Sequence, residues 1–449
     1  MAPRIDRRDF VRSAAARLSA VGALAAAPAR ASEKARLGFV GVGGHGIDLV
    51  RHALRLDYVA VPAICDITER NLDRALDEVE RSGRPRPEGY SAHEESYLEM
   101  VARDDLDGVI VATPWRLHLP VCIAAMRAGK YAATEVGPAS SIQECRDLVR
   151  AYEETGNPCM LLENHCYDRW NMALLRMVRE GVFGELVHCQ CGYEHDLRAR
   201  IVQGKGTGVA LPEGGDYRTR QNRMRNADLY PTHGIGPVAN WLDIDRGNRF
   251  QYLTSTATKS RGLNAWAREK LGADHPSADI EWAMGDVVTT VIKCANGETV
   301  VISFDTRLPR PYSNMRRLQG TRGIWLQDGD ASSLARSTVY IEGRSPHHRW
   351  EPFEPYQAEY EHPLWARYLR EGVVGGHRGS GYLKVRAFAE CVRDGLPTPV
   401  DAYDTATWRA IAPLSERSIA TGSQPVGFPD FTNGRWMQHR PVFGMTDRI

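Results

Sequence analysis

A chain of 449 residues with 43% hydrophobic and 25% charged side chains has room for two domains and a sizeable core. Its 57 basic and 56 acidic residues leave a net charge of +1, so no basic face is implied and no nucleic-acid partner is expected. No internal repeat or long low-complexity tract is present.

The first thirty residues stand apart from the expected fold. Arg7 and Arg8 precede Phe10 and an alanine-rich apolar stretch that ends in AAAPARA, with small-residue cleavage positions near Ala29 or Ala31. Residues 1–31 thus resemble a bacterial twin-arginine export signal. The apolar segment is too short and too alanine-rich for a membrane anchor, so the expected destination is the periplasm or the medium. The nine cysteines are odd in number, scattered and without a Cys-x-x-Cys pair. Cys189 and Cys191 share one face of a strand, where neighbours rarely bridge; buried free thiols are expected, and no metal centre.

From Ala35, ARLGFVGVGGHGIDLVRHAL reads as strand, glycine turn and helix. The turn Gly41-Val42-Gly43-Gly44-His45-Gly46 is a full G-x-G-x-x-G, which lets backbone approach a pyrophosphate at a helix N-terminus. YVAVPAICD is expected to be the second strand and ends in Asp66, 20 residues after Gly46. A carboxylate there holds ribose hydroxyls and repels a 2′-phosphate, which favours NAD over NADP. The alternation continues with helices NLDRALDEVE and EESYLEMVA, strand DGVIVATP, helix LPVCIAAMRAGK and strand YAATEV. Ser141 and Glu144 suit a capping box for a helix closed by Gly156, and PCMLLEN reads as a further buried strand. This is an α/β, doubly wound parallel sheet, a Rossmann domain over residues 35–165. Ligands of such sheets bind beyond the carboxyl ends of the strands, where Thr113, Trp115, His118, Glu135, Val136 and Asn164 fall. His118 serves equally well as a cap or packing residue.

After a linking helix in YDRWNMALLRMVREGVFG the texture changes. ELVHCQCGYEHD, FQYLTSTATKS, DVVTTVIKCANGETVVISFDT and GTRGIWLQ read as strands, with Asn296-Gly297 as a hairpin turn. Residues 166–400 are therefore expected to form an α+β domain with a mainly antiparallel sheet. One exposed face of that sheet would offer a homodimer surface. Residues 401–449 form a helical tail that packs back on the first domain. Between the first two of these strands lies LYPTHGIGP, where Pro231 and Pro237 argue against an ordinary uninterrupted helix. A constrained turn is expected there, holding Tyr230 and His233 close together.

The order of G-x-G-x-x-G, ATPWRLH, TEVGP and a following mixed sheet resembles the glucose–fructose oxidoreductase and inositol dehydrogenase superfamily. Dehydrogenases of that group usually carry Glu-Lys-Pro where this chain has Glu135-Val136-Gly137-Pro138. RNADLYPTHGIGPVANWLDIDRGNRF, with TPWRLH, TEVGPA and RPYS, is similar to glycoside hydrolase family 109, whose familiar members are NAD-containing α-N-acetylgalactosaminidases. The ADLY segment departs from that family's Gly-Asn before Leu-Tyr and lies beside the site.

The resemblance implies NAD as cofactor and a glycan or glycoconjugate with a terminal N-acetylhexosamine as substrate. It implies oxidation of the sugar at C3, loss of the C2 proton with departure of the aglycone, water addition and re-reduction. His233 is then the expected proton relay at C3 and Tyr230 the base at C2, while Tyr193, Arg218 and Tyr312, together with Tyr230 and His233, contact the sugar. A periplasmic NAD-dependent sugar oxidoreductase is the alternative enzyme, and a carbohydrate-binding protein with a vestigial cofactor site the alternative class.

Overall fold

Seven short strands set the first domain in the computed structural model, which describes residues 33–204, 215–327 and 337–447. The expected export signal lies outside the described residues. The strands are β1 (Ala35–Val40), β2 (Val59–Ala60), β3 (Ala63–Cys65), β4 (Glu88–Tyr90), β5 (Gly108–Val111), β6 (Tyr131–Thr134) and β7 (Cys159–Leu161). They run in the order β4-β3-β1-β5-β6-β7, with β2 beside β1, and every pairing is parallel. Helices cover the sheet, so β5 and β6 are buried along their whole length. The single strand expected from Tyr58 to Asp66 is two, because Pro62 between β2 and β3 cannot donate to a ladder.

The helix Ile142–Thr155 begins where Ser141 accepts the Glu144 N–H at 3.1 Å, and it stops at Gly156, whose φ is 69°. Only half of the expected capping box forms: the Glu144 carboxylate accepts from the Ser140 N–H at 2.6 Å, one residue before the cap.

The second sheet comprises β8 (Leu186–Glu194), β9 (Phe250–Ala257), β10 (Val287–Cys294), β11 (Thr299–Asp305), β12 (Arg317–Gly320), β13 (Gly323–Leu326), β14 (Thr338–Ile341), β15 (Glu351–Pro352) and β16 (Val426–Gly427). Their order is β15-β14-β13-β12-β8-β11-β10-β9-β16, and β8 with β11 is the parallel pair in an otherwise antiparallel sheet. Along β10, Val288, Thr290, Ile292 and Cys294 are buried while Thr289 and Val291 are exposed, so one face packs and the other is open. Asn296-Gly297 makes the β10–β11 turn, with Gly297 at a φ of 108°. GTRGIWLQ, expected as one strand, turns at Thr321-Arg322 and supplies parts of both β12 and β13.

Two late helices tie the layers together. Ser380–Asp394 packs on β1 and the helix Gly46–Leu54, and Ala402–Ala420 lies against β7, the helix Ile142–Thr155 and β9. All nine cysteines are free and buried, as expected. Among the described residues, no helix is long and apolar enough to cross a membrane.

Candidate active site

The glycine turn is built for close backbone approach. A Cβ on Gly46 would stand 2.0 Å from the Gly41 carbonyl oxygen, so the helix can start this close to β1 only with glycine there. Asp66 braces the same turn, accepting the Val42 N–H at 2.7 Å and the Thr68 N–H at 2.8 Å. Gly43, Gly44 and His45 complete the loop, and the His45 ring reaches back to the Glu135 carboxylate at 3.3 Å. At the strand ends, the Thr113 hydroxyl and the Asn164 amide nitrogen are buried without a hydrogen-bond partner. Buried polar atoms without partners mark a place for a ligand with polar groups, and a dinucleotide laid over the turn fits them. His118 differs. Its Nε2 meets the Thr113 carbonyl at 2.8 Å and its Nδ1 meets Arg409 at 3.0 Å, so it braces the wall with both nitrogens engaged.

LYPTHGIGP does not form the expected turn. Thr232–Trp241 is a helix, with Pro231 at its N-cap and Pro237 inside it. Pro231 costs little at a helix start, where the N–H has no helical partner. Pro237 withholds the N–H that would reach the carbonyl of His233, and Arg316 Nη2 donates to that carbonyl instead at 2.6 Å. The two glycines serve packing. A Cβ on Gly234 would lie 3.0 Å from the Gly192 nitrogen of β8, and one on Gly236 would lie 2.8 Å from Glu163 Cγ. Together they let the helix press His233 against the end of the first sheet.

There His233 Nδ1 meets Glu163 Oε1 at 2.8 Å, with Glu163 fully buried. Burial opposes ionisation of Glu163, but the His233 imidazole beside it holds the carboxyl down at about 2. A second imidazole lies against the first: the rings of His165 and His233 are 4.5 Å apart, edge to face. His165 Nδ1 is 2.6 Å from Asp168 Oδ2, and its Nε2 is 2.9 Å from the Tyr312 hydroxyl. Burial acts against charge on both partners, pushing Asp168 up to about 7 and His165 well down. Glu163, His165 and His233 bring donor atoms within 4.8 Å of one another, a composition that suits a cation. Both nitrogens of His165 are already engaged, however, which makes the cluster a hydrogen-bonded proton-transfer centre.

Aromatic rings line the approach. Tyr193, at the end of β8, is 4.5 Å from the Tyr230 ring, 5.5 Å from His233 and 5.9 Å from Tyr312. The Arg218 guanidinium lies 4.6 Å over Trp115 and 5.0 Å over Tyr230. Apolar faces with polar tips suit a sugar ring. The structure therefore brings Tyr193, Arg218, Tyr230, His233 and Tyr312 together, with Trp115 beside them and Asn164 next to Glu163.

Sequence reading missed Glu163, His165, Asp168, Arg316 and Lys384. Lys384, from the helix Ser380–Asp394, reaches the Glu135 carboxylate and donates to the Leu162 carbonyl at 3.0 Å. Lys384 and His45 hold Glu135 ionised although burial opposes it. The cation beside Glu135 thus comes from a distant segment.

Comparison with known proteins decides the family. The C-terminal domain of glycosyl hydrolase 109 matches residues 167–438, and an oxidoreductase family with an NAD-binding Rossmann fold matches residues 35–163. The chain belongs to glycosyl hydrolase family 109. It is 44% identical over 423 residues to the alpha-N-acetylgalactosaminidase of Tannerella forsythia, covering 91% of this chain and 89% of that one. It is also 44% identical to a glycosyl hydrolase family 109 protein of Stenotrophomonas maltophilia, over 98% of each chain. Among solved structures it is similar in fold to levoglucosan dehydrogenase in complex with NADH, with a TM-score of 0.60 at 18% identity over 88% of this chain and 100% of that one. An inositol dehydrogenase homolog of Azotobacter vinelandii, complexed with NADH and myo-inositol, gives 0.59 at 16% identity over 89% of this chain and 99% of that one. This family 109 member is a glycoside hydrolase with an NAD-binding Rossmann domain, and NAD is its cofactor.

Proposed function

We propose that the protein is an exported glycosidase that removes terminal α-linked N-acetylgalactosamine by transient oxidation of the sugar. The observation that carries it is the buried Glu163–His233 pair, set among four aromatic side chains at the carboxyl end of the cofactor sheet. Bound NAD would supply a reversible hydride acceptor for sugar C3, with no net redox change over a turnover. The residues for holding it are Gly41 to Gly46, Asp66, Thr113, Glu135 and Asn164.

His233 takes the proton of the C3 hydroxyl on Nε2. Glu163 accepts from Nδ1–H and thereby fixes the tautomer that leaves Nε2 free to accept. Arg218 presents a rigid donor fork beside Tyr230, suited to sugar hydroxyls or the acetamido carbonyl. The ketone at C3 acidifies the C2 hydrogen, a phenol of the site removes it, and the aglycone leaves C1.

Incubation with an aryl α-N-acetylgalactosaminide, without any added electron acceptor, tests the reading. Release of aglycone over many turnovers is expected. Reduced cofactor building up to one equivalent, with no aglycone, would make the protein a sugar oxidoreductase and sink the proposal. Export rests on Arg7 and Arg8; changing both to lysine should leave the protein in the cytoplasm, and undiminished delivery would refute that route.

A further inference from the structure

We infer that Tyr312, through a relay to His165 and Asp168, is the group that takes the C2 proton, in place of Tyr230. This deepens the glycosidase reading and rests on it for the substrate.

The two phenols stand in different surroundings. Burial pushes the Tyr230 phenol well up although the Arg218 guanidinium beside it draws it back, and that guanidinium, a donor only, offers no acceptor for the phenolic proton. The Tyr312 oxygen accepts from Asn314 Nδ2 at 3.3 Å and lies 2.9 Å from His165 Nε2. With Asn314 on one side, the phenolic proton points at the imidazole. Asp168, 2.6 Å from Nδ1, accepts that N–H and so leaves Nε2 as the acceptor. Asn171 holds the arrangement from behind, donating to the His165 carbonyl at 2.7 Å. Geometry also favours the backbone: Asn164–Tyr167 is a 3-10 helix leading into Asp168, and residues three apart on such a turn lie over each other.

A relay answers the difficulty that burial creates. Tyr312 is nearly enclosed, and burial pushes its phenol far up, so a resting phenolate does not form. Passing one proton on while another arrives removes that need. The C2–H bond breaks and its proton goes to the Tyr312 oxygen, as the phenolic proton moves to His165 Nε2. The electron pair left at C2 forms the C1–C2 double bond, and the aglycone departs with the C1–O pair and takes a proton from water. Imidazolium then stands against the Asp168 carboxylate, and the protons run back when C2 is reprotonated.

Asp168 also gives the relay a pH limb. The groups that face it are His165, Arg316, Ser380, Glu163 and His377, with Asn171 Nδ2 at 3.5 Å. Burial raises the carboxyl, and Arg316 and Ser380 draw it back, to about 7. Below that pH Asp168 carries the proton and gives it to Nδ1, so Nε2–H points at Tyr312 and the relay is blocked. Above it the relay is set.

The experiment uses the NAD-loaded protein with an aryl α-N-acetylgalactosaminide in D₂O, reading deuterium entry at C2. Asp168→Asn and His165→Gln are each expected to lower that exchange by about 10²–10⁴-fold while NAD stays bound. In parallel, 3-fluorotyrosine at position 312 is followed by fluorine NMR without substrate. A step in its shift near pH 7 is expected, and it should vanish in Asp168→Asn. Exchange within about threefold of the parent in both folded variants, or a fluorine signal without the step, overturns the relay. If the parent neither exchanges nor hydrolyses, the glycosidase reading falls, and the substrate-free titration still decides the proton path.

Discussion

Pro237 and Arg316 form a pair that a double-mutant cycle can expose. Pro237 withholds a helical N–H from the His233 carbonyl, and Arg316, with no exposed surface, supplies the missing donor at 2.6 Å. Arg316→Met keeps the stem but strands that carbonyl, at a cost of about 1–3 kcal/mol. Removing the guanidinium also relieves a buried charge whose Nε and Nη1 have no partner, so the single variant alone does not identify the effect. Pro237→Ala restores an N–H four residues after His233, where an α-helix places it on that carbonyl. The double variant should therefore recover most of the carbonyl's loss, a coupling of about 1 kcal/mol or more. Amide hydrogen exchange along Thr232–Trp241 reads the local opening free energy directly. Hydrolysis weakened in Arg316→Met should partly return with it. Additive costs, with coupling under about 0.5 kcal/mol, would refute the idea that the proline exists to free His233 for Arg316.

Lys384→Met leaves the buried Glu135 carboxylate without its ammonium partner, with the half-exposed His45 ring 3.3 Å away. A loss of about 3–5 kcal/mol and a fall in bound NAD are expected, softened by adding Glu135→Gln; an unchanged melting temperature with full NAD content would count against it. Glu163 has a folded-state pKa depressed from 4.5 to about 2, so its stabilisation is complete above about 4.5 and is lost as pH falls toward 2. Glu163→Gln should flatten the stability curve across that window by about 3 kcal/mol, and a parallel, merely displaced curve would show that His233 does not hold the carboxylate.

The cofactor sheet was legible because its signals are local. Gly41 to Gly46 and Asp66 lie on consecutive elements, and strand chemistry alone places their ends together. The aromatics proposed to meet the sugar were legible through family likeness alone, since nothing in composition or spacing singles out Tyr193 or Tyr312. Glu163, His165 and Asp168 sit within six residues, and the His-x-x-Asp spacing on a 3-10 turn was a usable signal, lost because it falls between the expected strand PCMLLEN and the expected linking helix. Lys384 carried no signal at all: its partner lies 249 residues away. The proline motif misled for the same reason. Pro237 looks like a helix breaker until Arg316, 83 residues beyond His233, takes over the missing hydrogen bond.

The order in which the chain is made has a consequence for cofactor loading. Arg409, from the helix Ala402–Ala420, donates to the Thr134 hydroxyl at 3.0 Å and to the Glu135 carbonyl, and Lys384 neutralises the Glu135 side chain. Both cations emerge from the ribosome long after the glycine turn they serve. The parallel sheet can gather early, since domains begin folding as they are synthesised, but its cofactor end lacks these two braces until residues 384 and 409 of the 449 have been made. A product that stops short of Ala402 would carry an intact G-x-G-x-x-G and hold NAD poorly. Capture of the dinucleotide thereby depends on segments made long after the turn that receives it.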